Sequence, residues 1–216
     1  MLKWPKGLVW LRGNAKKSRA HNMQLNFPDR FVLLDTEYTA WEGSQARKWS
    51  GPGEFREIVQ VGMIRVGPGL TELDSLMRFV RPIKNPILSD YFKNLTHITQ
   101  ERVDAEGITL EACVRDTHTF LGDDPAYSWG LDENRIKENC DLLGIAYPIG
   151  LGRIADIRPI LFPALEKIQV NPTGYTSGSL IDAFGGAPGS AAHDAVNDMR
   201  NLLAAIKAIN ERLSRV

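Results

Sequence analysis

Two acidic residues, Asp35 and Glu37, close an unusually apolar stretch, Phe31-Val32-Leu33-Leu34. A continuous apolar run of this kind reads as a strand covered on both faces. Side chains alternate along a strand, so the two carboxylates share a face, about 6.5–7 Å apart. Carboxylates at the mouth of a core are costly unless paired or bound to a cation; at an ordinary strand end the same two acids would simply be solvated. A second constellation lies in Ala191-Ala192-His193-Asp194-Ala195-Val196-Asn197-Asp198. Residues five apart on an α-helix are rotated by about 140° from one another, so His193 and Asp198 do not share a helical face. Asp194 suits the N-cap position, which puts His193 just outside the helix and Asp198 in its second turn. The preceding Gly185-Gly186-Ala187-Pro188-Gly189-Ser190 reads as a mobile loop, placing the histidine on a hinge and the aspartate on a fixed support. The plainer alternative is a capping aspartate beside a surface histidine. Asp132, after Ser128-Trp129-Gly130-Leu131, is a third candidate. It reads as a helix cap, and its second oxygen leaves room for a cation as well.

The elements that must position these residues follow from periodicity and punctuation. Glu57–Val66 and Leu73–Val80 read as second and third strands joined by the turn Gly67-Pro68-Gly69, and their short spacing predicts adjacent antiparallel pairing. Trp41 to Gly53 is polar and glycine-bearing, a loop. Ser89 can cap a short helix through Asn94, and Thr109 a longer one with Leu110, Cys113, Val114, Thr117 and Leu121 along its inner side. Ala126–Trp129 reads as a fourth strand. Asp132 opens a helix carrying Ile136, Cys140 and Leu143, and a further helix is expected near Arg158–Ile168. After His193 a final helix shows the apolar stripe Ala195, Met199, Leu202, Leu203, Ile206, Ile209 and Leu213. Strands first, then alternating helices and a strand, imply an α/β domain with a mixed sheet.

Composition narrows the class. Of 216 residues 43% are hydrophobic, enough for a core without metal or disulfide staples. Twenty-six basic residues balance 26 acidic ones, which excludes a polybasic binder while leaving room for a local basic groove. Two cysteines, Cys113 and Cys140, exclude a disulfide scaffold or a cysteine-rich zinc site. No apolar run approaches the ~18 residues of a membrane span, and residues 1–28 lack the apolar core of a secretory signal. A cytoplasmic protein is therefore expected. Residues 1–28 stand apart, with Lys3, Lys6, Arg12, Lys16, Lys17 and Arg19 and no acid before Asp29. They read as a loose basic arm ahead of a domain spanning 29–216.

In chain order, then, come a carboxylate pair on the first strand, an aspartate after the fourth, and His-x-x-x-x-Asp entering the last helix. This order resembles the DEDDh 3′–5′ exonucleases, the ribonuclease T and polymerase-proofreading superfamily with a ribonuclease H-like fold. Asp35-Thr36-Glu37 matches the first family motif, Asp132 the second, and His193 with Asp198 the third. Tyr38–Gly43, Phe79–Pro82 and Leu95–Gln100 look most similar to the branch holding histone-mRNA and small-RNA 3′ exonucleases and KapD-like bacterial proteins. Thr36 stands where Phe is common, and Trp-Gly-Leu precedes Asp132 in place of the usual Gly-Asp; Asp124, ahead of the fourth strand, is the fallback for the second motif.

The resemblance implies a mixed central sheet with antiparallel first three strands, flanked by helices. It also implies two Mg²⁺ or Mn²⁺ ions, to which hard oxygen ligands without a thiolate cluster are suited. Asp35 would bridge the ions, Glu37 and Asp198 complete the first, and Asp132 orient waters on the second. His193 would be the general base for attack by water, releasing nucleoside 5′-monophosphates from a single-stranded 3′ end, with RNA favoured over DNA. Substrate contacts would fall to Thr36, to Trp41 and Trp129 by stacking, and to His97 within Leu95-Thr96-His97-Ile98. The rival expectation is a catalytically silent nucleic-acid-binding or adaptor domain on the same fold.

Overall fold

In the computed structural model, which describes residues 24–186 and 193–216, the apolar run forms the heart of β1 (Phe31–Tyr38). Phe31 to Leu34 are each no more than 1% exposed, as a strand between two helical layers requires. β2 (Ile58–Gly67) pairs antiparallel with β1, and β3 (Thr71–Phe79) antiparallel with β2. Two short strands, β4 (Ala126–Ser128) and β5 (Ile154–Asp156), extend the other edge in parallel. The result is a five-stranded mixed sheet in the order β3-β2-β1-β4-β5, the architecture expected.

Among the described residues six α-helices flank it: α1 (Asp90–Thr96), α2 (Gln100–Glu106), α3 (Leu110–Leu121), α4 (Asp132–Leu143), α5 (Arg158–Lys167) and α6 (Ala195–Leu213). Ser89, Thr99, Thr109 and Asp194 cap α1, α2, α3 and α6, each side chain accepting a hydrogen bond from the backbone N–H three residues on. Along β1 the odd positions Phe31 and Leu33 pack with Leu161 and Leu165 of α5 and Met199, Leu202 and Ile206 of α6. The even positions Val32 and Leu34 pack with Val114 of α3 and Ile136 and Cys140 of α4. Alternation carried to the end of β1 therefore aims Asp35 and Glu37 at α6, and Thr36 at α4.

Three elements lie beyond the sequence expectations: α2, β5 and a 3-10 turn over Leu180–Phe184. β5 is only three residues long, too short to show a period. Trp129, expected inside the fourth strand, lies just past it. Part of the expected arm is docked: the Leu25 N–H donates to Asn210 Oδ1 at 2.7 Å, and the Phe27 ring stacks on Phe31 at 4.8 Å between centroids. Packing on the domain thus begins by residue 25 rather than 29. The basic residues Lys3 to Arg19, and most of the expected mobile loop, 187–190, lie outside the described residues.

Candidate active site

The first turn of α6 is pinned to the sheet by two residues of β2. Gln60 pairs with Glu37 across the β1–β2 ladder and is completely buried. Its Oε1 accepts the Ala195 N–H at 2.9 Å, satisfying a donor that the start of a helix leaves open. At Gly62 an added Cβ would lie 2.5 Å from the backbone of Ala195 and Val196, so only glycine lets α6 approach this closely. Asp194 completes the anchorage by accepting the Asn197 N–H at 3.1 Å, as expected of the cap.

Fixed in this way, Asp198 sits in the first turn of α6, one turn earlier than expected because the helix begins at Ala195, 5% exposed and opposite Glu37. His193 precedes the cap in a left-handed conformation, φ 65°, which turns its ring back toward the same point. Ligand atoms of Glu37, His193 and Asp198 lie within 4.8 Å of one another. Asp132 arrives from the other helical layer. The position before α4 belongs to Leu131 and no side chain caps this helix, so Asp132 is not the plain cap the sequence allowed. Instead its buried carboxylate accepts the Thr36 hydroxyl at 2.6 Å. Asp35 lies between the two groups, where the charges of Asp132, Glu37 and Asp198 all reach it. Asp124, the fallback, pairs with Arg30 and Arg65 ahead of β4, at the far end of the strand, which removes it from contention.

The electrostatics are those of a crowded anionic centre, with Arg135 and Arg158 near Asp132 alone. Burial raises the pKa of Asp35, and the neighbouring charges of Asp132, Glu37 and Asp198 raise it further. Glu37 is raised by burial, then by Asp198, Asp132 and Asp194. Burial pushes Asp132 up to about 6 against the Thr36 hydrogen bond, and pushes Asp198 to about 6 against a hydrogen bond from the His193 backbone. The Asp198 Oδ1 atom is buried with no hydrogen-bond partner among the described residues. Gly178 closes over it: a Cβ there would lie 2.3 Å from that oxygen. The His193 imidazole is lowered, first by burial and then by the charge of His97.

Two adjoining cavities flank Asp35. The first, about 240 Å³, is walled by Tyr38, Trp49, Tyr91 and Leu95 and includes Glu37, His193 and Asp198. The second, about 350 Å³, runs from Asp35 to Asp132 and is walled by Trp129, Arg135 and Arg158. Of the remaining expected contacts, Thr36 borders both cavities, and exposed His97 closes α1 in a left-handed conformation beside His193. Trp129 packs edge-on against Phe162 at 5.9 Å, whereas Trp41 is half-buried and lines neither cavity.

No protein-family model matches the chain. Among curated proteins it is 31% identical over 124 residues to the probable 3′-5′ exonuclease KapD of Bacillus subtilis, covering 54% of this chain and 56% of that protein. It is 32% identical over 100 residues to the human 3′-5′ exoribonuclease 1, covering 44% and 27% respectively. Among solved structures, the nuclease domain of 3′hExo, a DEDDh family member bound to rAMP, superposes with a TM-score of 0.69 at 20% identity, over 85% of this chain and 92% of that one. E. coli Exonuclease I in complex with a dA16 oligonucleotide follows at 0.63 and 16% identity, over 87% and 42%. The chain has the fold of the 3′hExo nuclease domain, a DEDDh family member. It spans from 13% to 56% of the length of the curated relatives it matches.

Several residues that shape this site carry no signal of their own in the sequence. Gln60 and Gly62 read as ordinary strand positions, and Gly178 as one glycine of a loop. Trp49 rather than Trp41 walls the first cavity: its indole N–H donates to the Thr39 carbonyl at 2.9 Å, and the Arg56 guanidinium lies over its ring at 5.0 Å. A tryptophan braced on both sides is a rigid wall.

Proposed function

We propose that this chain is a metal-dependent 3′–5′ exonuclease that removes nucleoside 5′-monophosphates from single-stranded nucleic acid, RNA before DNA. One observation carries the proposal: the buried Asp198 oxygen, unpartnered among the described residues, converges with Glu37 and His193 beside Asp35 and Asp132, and among the described residues no lysine or arginine lines the first cavity. An oxygen buried without a donor costs free energy unless something outside the chain meets it. Hard carboxylate donors suit Mg²⁺ or Mn²⁺, and the unpaired thiols Cys113 and Cys140 are both buried, packed in the core on the α3 and α4 side. Asp35, Glu37, Asp132 and Asp198 are the residues that would hold a pair of such ions. Bound there, the pair supplies neutralisation of the phosphate, acidification of water and stabilisation of the departing oxygen.

The remaining work falls to the chain. His193, its pKa lowered by burial, is neutral near pH 7 and takes the proton of the attacking water. The Thr36 hydroxyl holds Asp132 in one rotamer. The first cavity receives the 3′-terminal nucleoside: Tyr38, Trp49 and Tyr91 offer rings for the base, and Thr96, Thr176 and Ser177 offer hydroxyls to the sugar. The names of the curated relatives, exoribonucleases among them, support the preference for RNA. Among the described residues no helix is long and apolar enough to cross a membrane. Two buried, unpaired cysteines suit a reducing compartment, and we extend the proposal to a cytoplasmic enzyme.

The deciding experiment incubates 5′-labelled single-stranded RNA and DNA with the protein and Mn²⁺. The expected result is a ladder shrinking from the 3′ end, abolished by EDTA and by Asp35→Ala, and faster on RNA. Label that stays intact under every divalent metal overturns the nuclease reading and leaves a silent nucleic-acid-binding domain.

A further inference from the structure

The two cavities beside Asp35 differ in chemistry. Among the described residues, the first contains rings, hydroxyls and carboxylates and no cationic side chain other than what His193 can become. The second brings in Arg135 and Arg158. Asp35, Thr36, Tyr38 and Gln45 border both, so Asp35 marks the saddle where one opens into the other.

Arg158 is held for a task. Its Nε and Nη2 donate to the Asp156 carboxylate at 2.8–3.0 Å, which fixes the plane of the guanidinium. Nη1 keeps its donors without a hydrogen-bond partner among the described residues. Gly130, φ 116°, makes room: a Cβ there would stand 3.3 Å from Nη2. Arg135 borders the same cavity from α4, its guanidinium 5.8 Å from the Tyr38 ring and paired with Glu138. A planar guanidinium with one edge anchored and the other open is suited to a phosphate oxygen.

We propose that the second cavity is a binding site for the backbone of the strand left behind, with Arg158 receiving the 5′-phosphate of the penultimate nucleotide. This rests on the exonuclease reading, in which the terminal nucleoside fills the first cavity and the scissile phosphate lies over Asp35. Continuity then carries the chain across the saddle, past Gln45, into the only one of the two cavities that offers arginine. The site accounts for two arginines beside a carboxylate centre, which the hydrolytic chemistry alone does not require.

Two dinucleotides test it: thymidylyl-thymidine with and without a 5′-phosphate. The first reaches the second cavity with an added anion; the second does not. With Mn²⁺, the protein is expected to cleave the phosphorylated form with a kcat/KM at least tenfold higher, chiefly through KM. Arg158→Gln should bring the ratio of the two to within twofold of one, and Arg158→Lys should leave an intermediate ratio. Because each variant is compared with itself, a general loss of stability cancels from the ratio. Calorimetric binding of both dinucleotides to the Ca²⁺-loaded protein gives a second readout. There Arg158→Gln should also flatten the slope of log K against log salt by about 0.7, one phosphate contact on a single strand. A wild-type protein indifferent to the added phosphate, or a preference that survives Arg158→Gln, overturns the proposal. A protein that cleaves neither dinucleotide but binds the phosphorylated one more tightly through Arg158 retains the second site and loses the nuclease reading.

Discussion

Two sets of carboxylates lie deep in this protein, and they are treated in opposite ways. Glu57, 2% exposed, accepts three successive backbone N–H groups, from Ile83, Lys84 and Asn85, at 2.7, 2.8 and 2.5 Å. Glu133 does the same for Gly152, Arg153 and Ile154 at 2.9, 2.9 and 3.2 Å. Each gathers a loop onto the sheet, and its charge is met by donors the loop would otherwise leave open. Asp35, Glu37, Asp132 and Asp198 lie no more than intermediately exposed; the charges of the others press on Asp35 and Glu37, and Asp198 keeps one oxygen without a donor among the described residues. Burial alone therefore does not mark a functional acid. A buried oxygen left without a donor, as at Asp198, is what sets the second group apart.

The sharpest way to break this comparison is to neutralise one acid from each set. Asp198→Asn is expected to lower nuclease turnover by about 10³-fold or more, since a ligand of the centre is lost. The same change removes a buried charge, so without metal at pH 7.5 it should stabilise the fold by about 1–2 kcal/mol, some 2–8 °C in Tm. Glu57→Gln is expected to do the reverse. It leaves buried N–H groups short of acceptors and should cost about 2–4 kcal/mol. Turnover per folded molecule should stay near that of the unchanged protein. Thermal melts in EDTA, paired with initial rates, read both; equal signs of the stability change would erase the distinction.

His193 separates chemistry from ligation within the first set. His193→Ala should slow turnover by about 10²–10⁴-fold, the range for loss of a general base. The rise in Tm on adding Mn²⁺ should persist, because four carboxylates remain. Loss of that rise would make the imidazole a ligand instead.

Proton linkage gives the comparison a pH axis. The folded pKa values of Asp132 and Asp198, about 6, stand above the ordinary 3.8. Between about pH 4 and 6 the folded chain holds more protons than the unfolded one, so unfolding free energy falls as pH rises through that window. Asp35 and Glu37, also raised, act in the same direction, while the lowered His193, facing His97, favours the fold as it loses its proton. Arg135 and Arg158 face Asp132 and temper the effect there. Metal-free protein should therefore melt at a lower temperature at pH 7 than at pH 5. Saturating Mn²⁺ should raise Tm at pH 7 by about 5–10 °C and remove most of that slope. A metal-free Tm that climbs from pH 5 to 7 would contradict the assignment of these acids as repelling neighbours.

How much of this could be read from the chain depends on how local each cause is. Asp35 and Glu37 announce themselves because the run before them is so apolar, and Asp194 because its cap is a local bond. The five-stranded sheet follows from strand periodicity, except for β5, whose three residues show no period and whose entry, Gly152 to Ile154, is held by Glu133 from about 20 positions away. The contacts that bring Asp198 to Glu37 are invisible for the same reason: Gln60 and Gly62 act on residues more than 130 positions later. Trp41 and Trp49 share one loop and one residue type, and only tertiary bracing by Thr39 and Arg56 decides which becomes a wall. Nothing in the sequence separates Glu57 from Glu37, because the difference lies in which backbone arrives opposite each.

The smallest effect in the series joins the two sets. Glu133 is half-buried, so Glu133→Gln should cost only about 1–2 kcal/mol, less than the change at Glu57. Its consequence is nevertheless directional. The N–H groups it holds lead into β5, and β5 ends at Asp156, the residue that fixes Arg158 beside the carboxylate centre. A loosened β5 should weaken discrimination between dinucleotides with and without a 5′-phosphate while leaving the Mn²⁺-induced rise in Tm in place. Glu57, which anchors the loop before α1 on the side of the first cavity, should show no such loss of discrimination when changed to Gln. If both variants altered discrimination alike, the structural acids would be acting through global stability alone, and the division of the site into two cavities would lose its support.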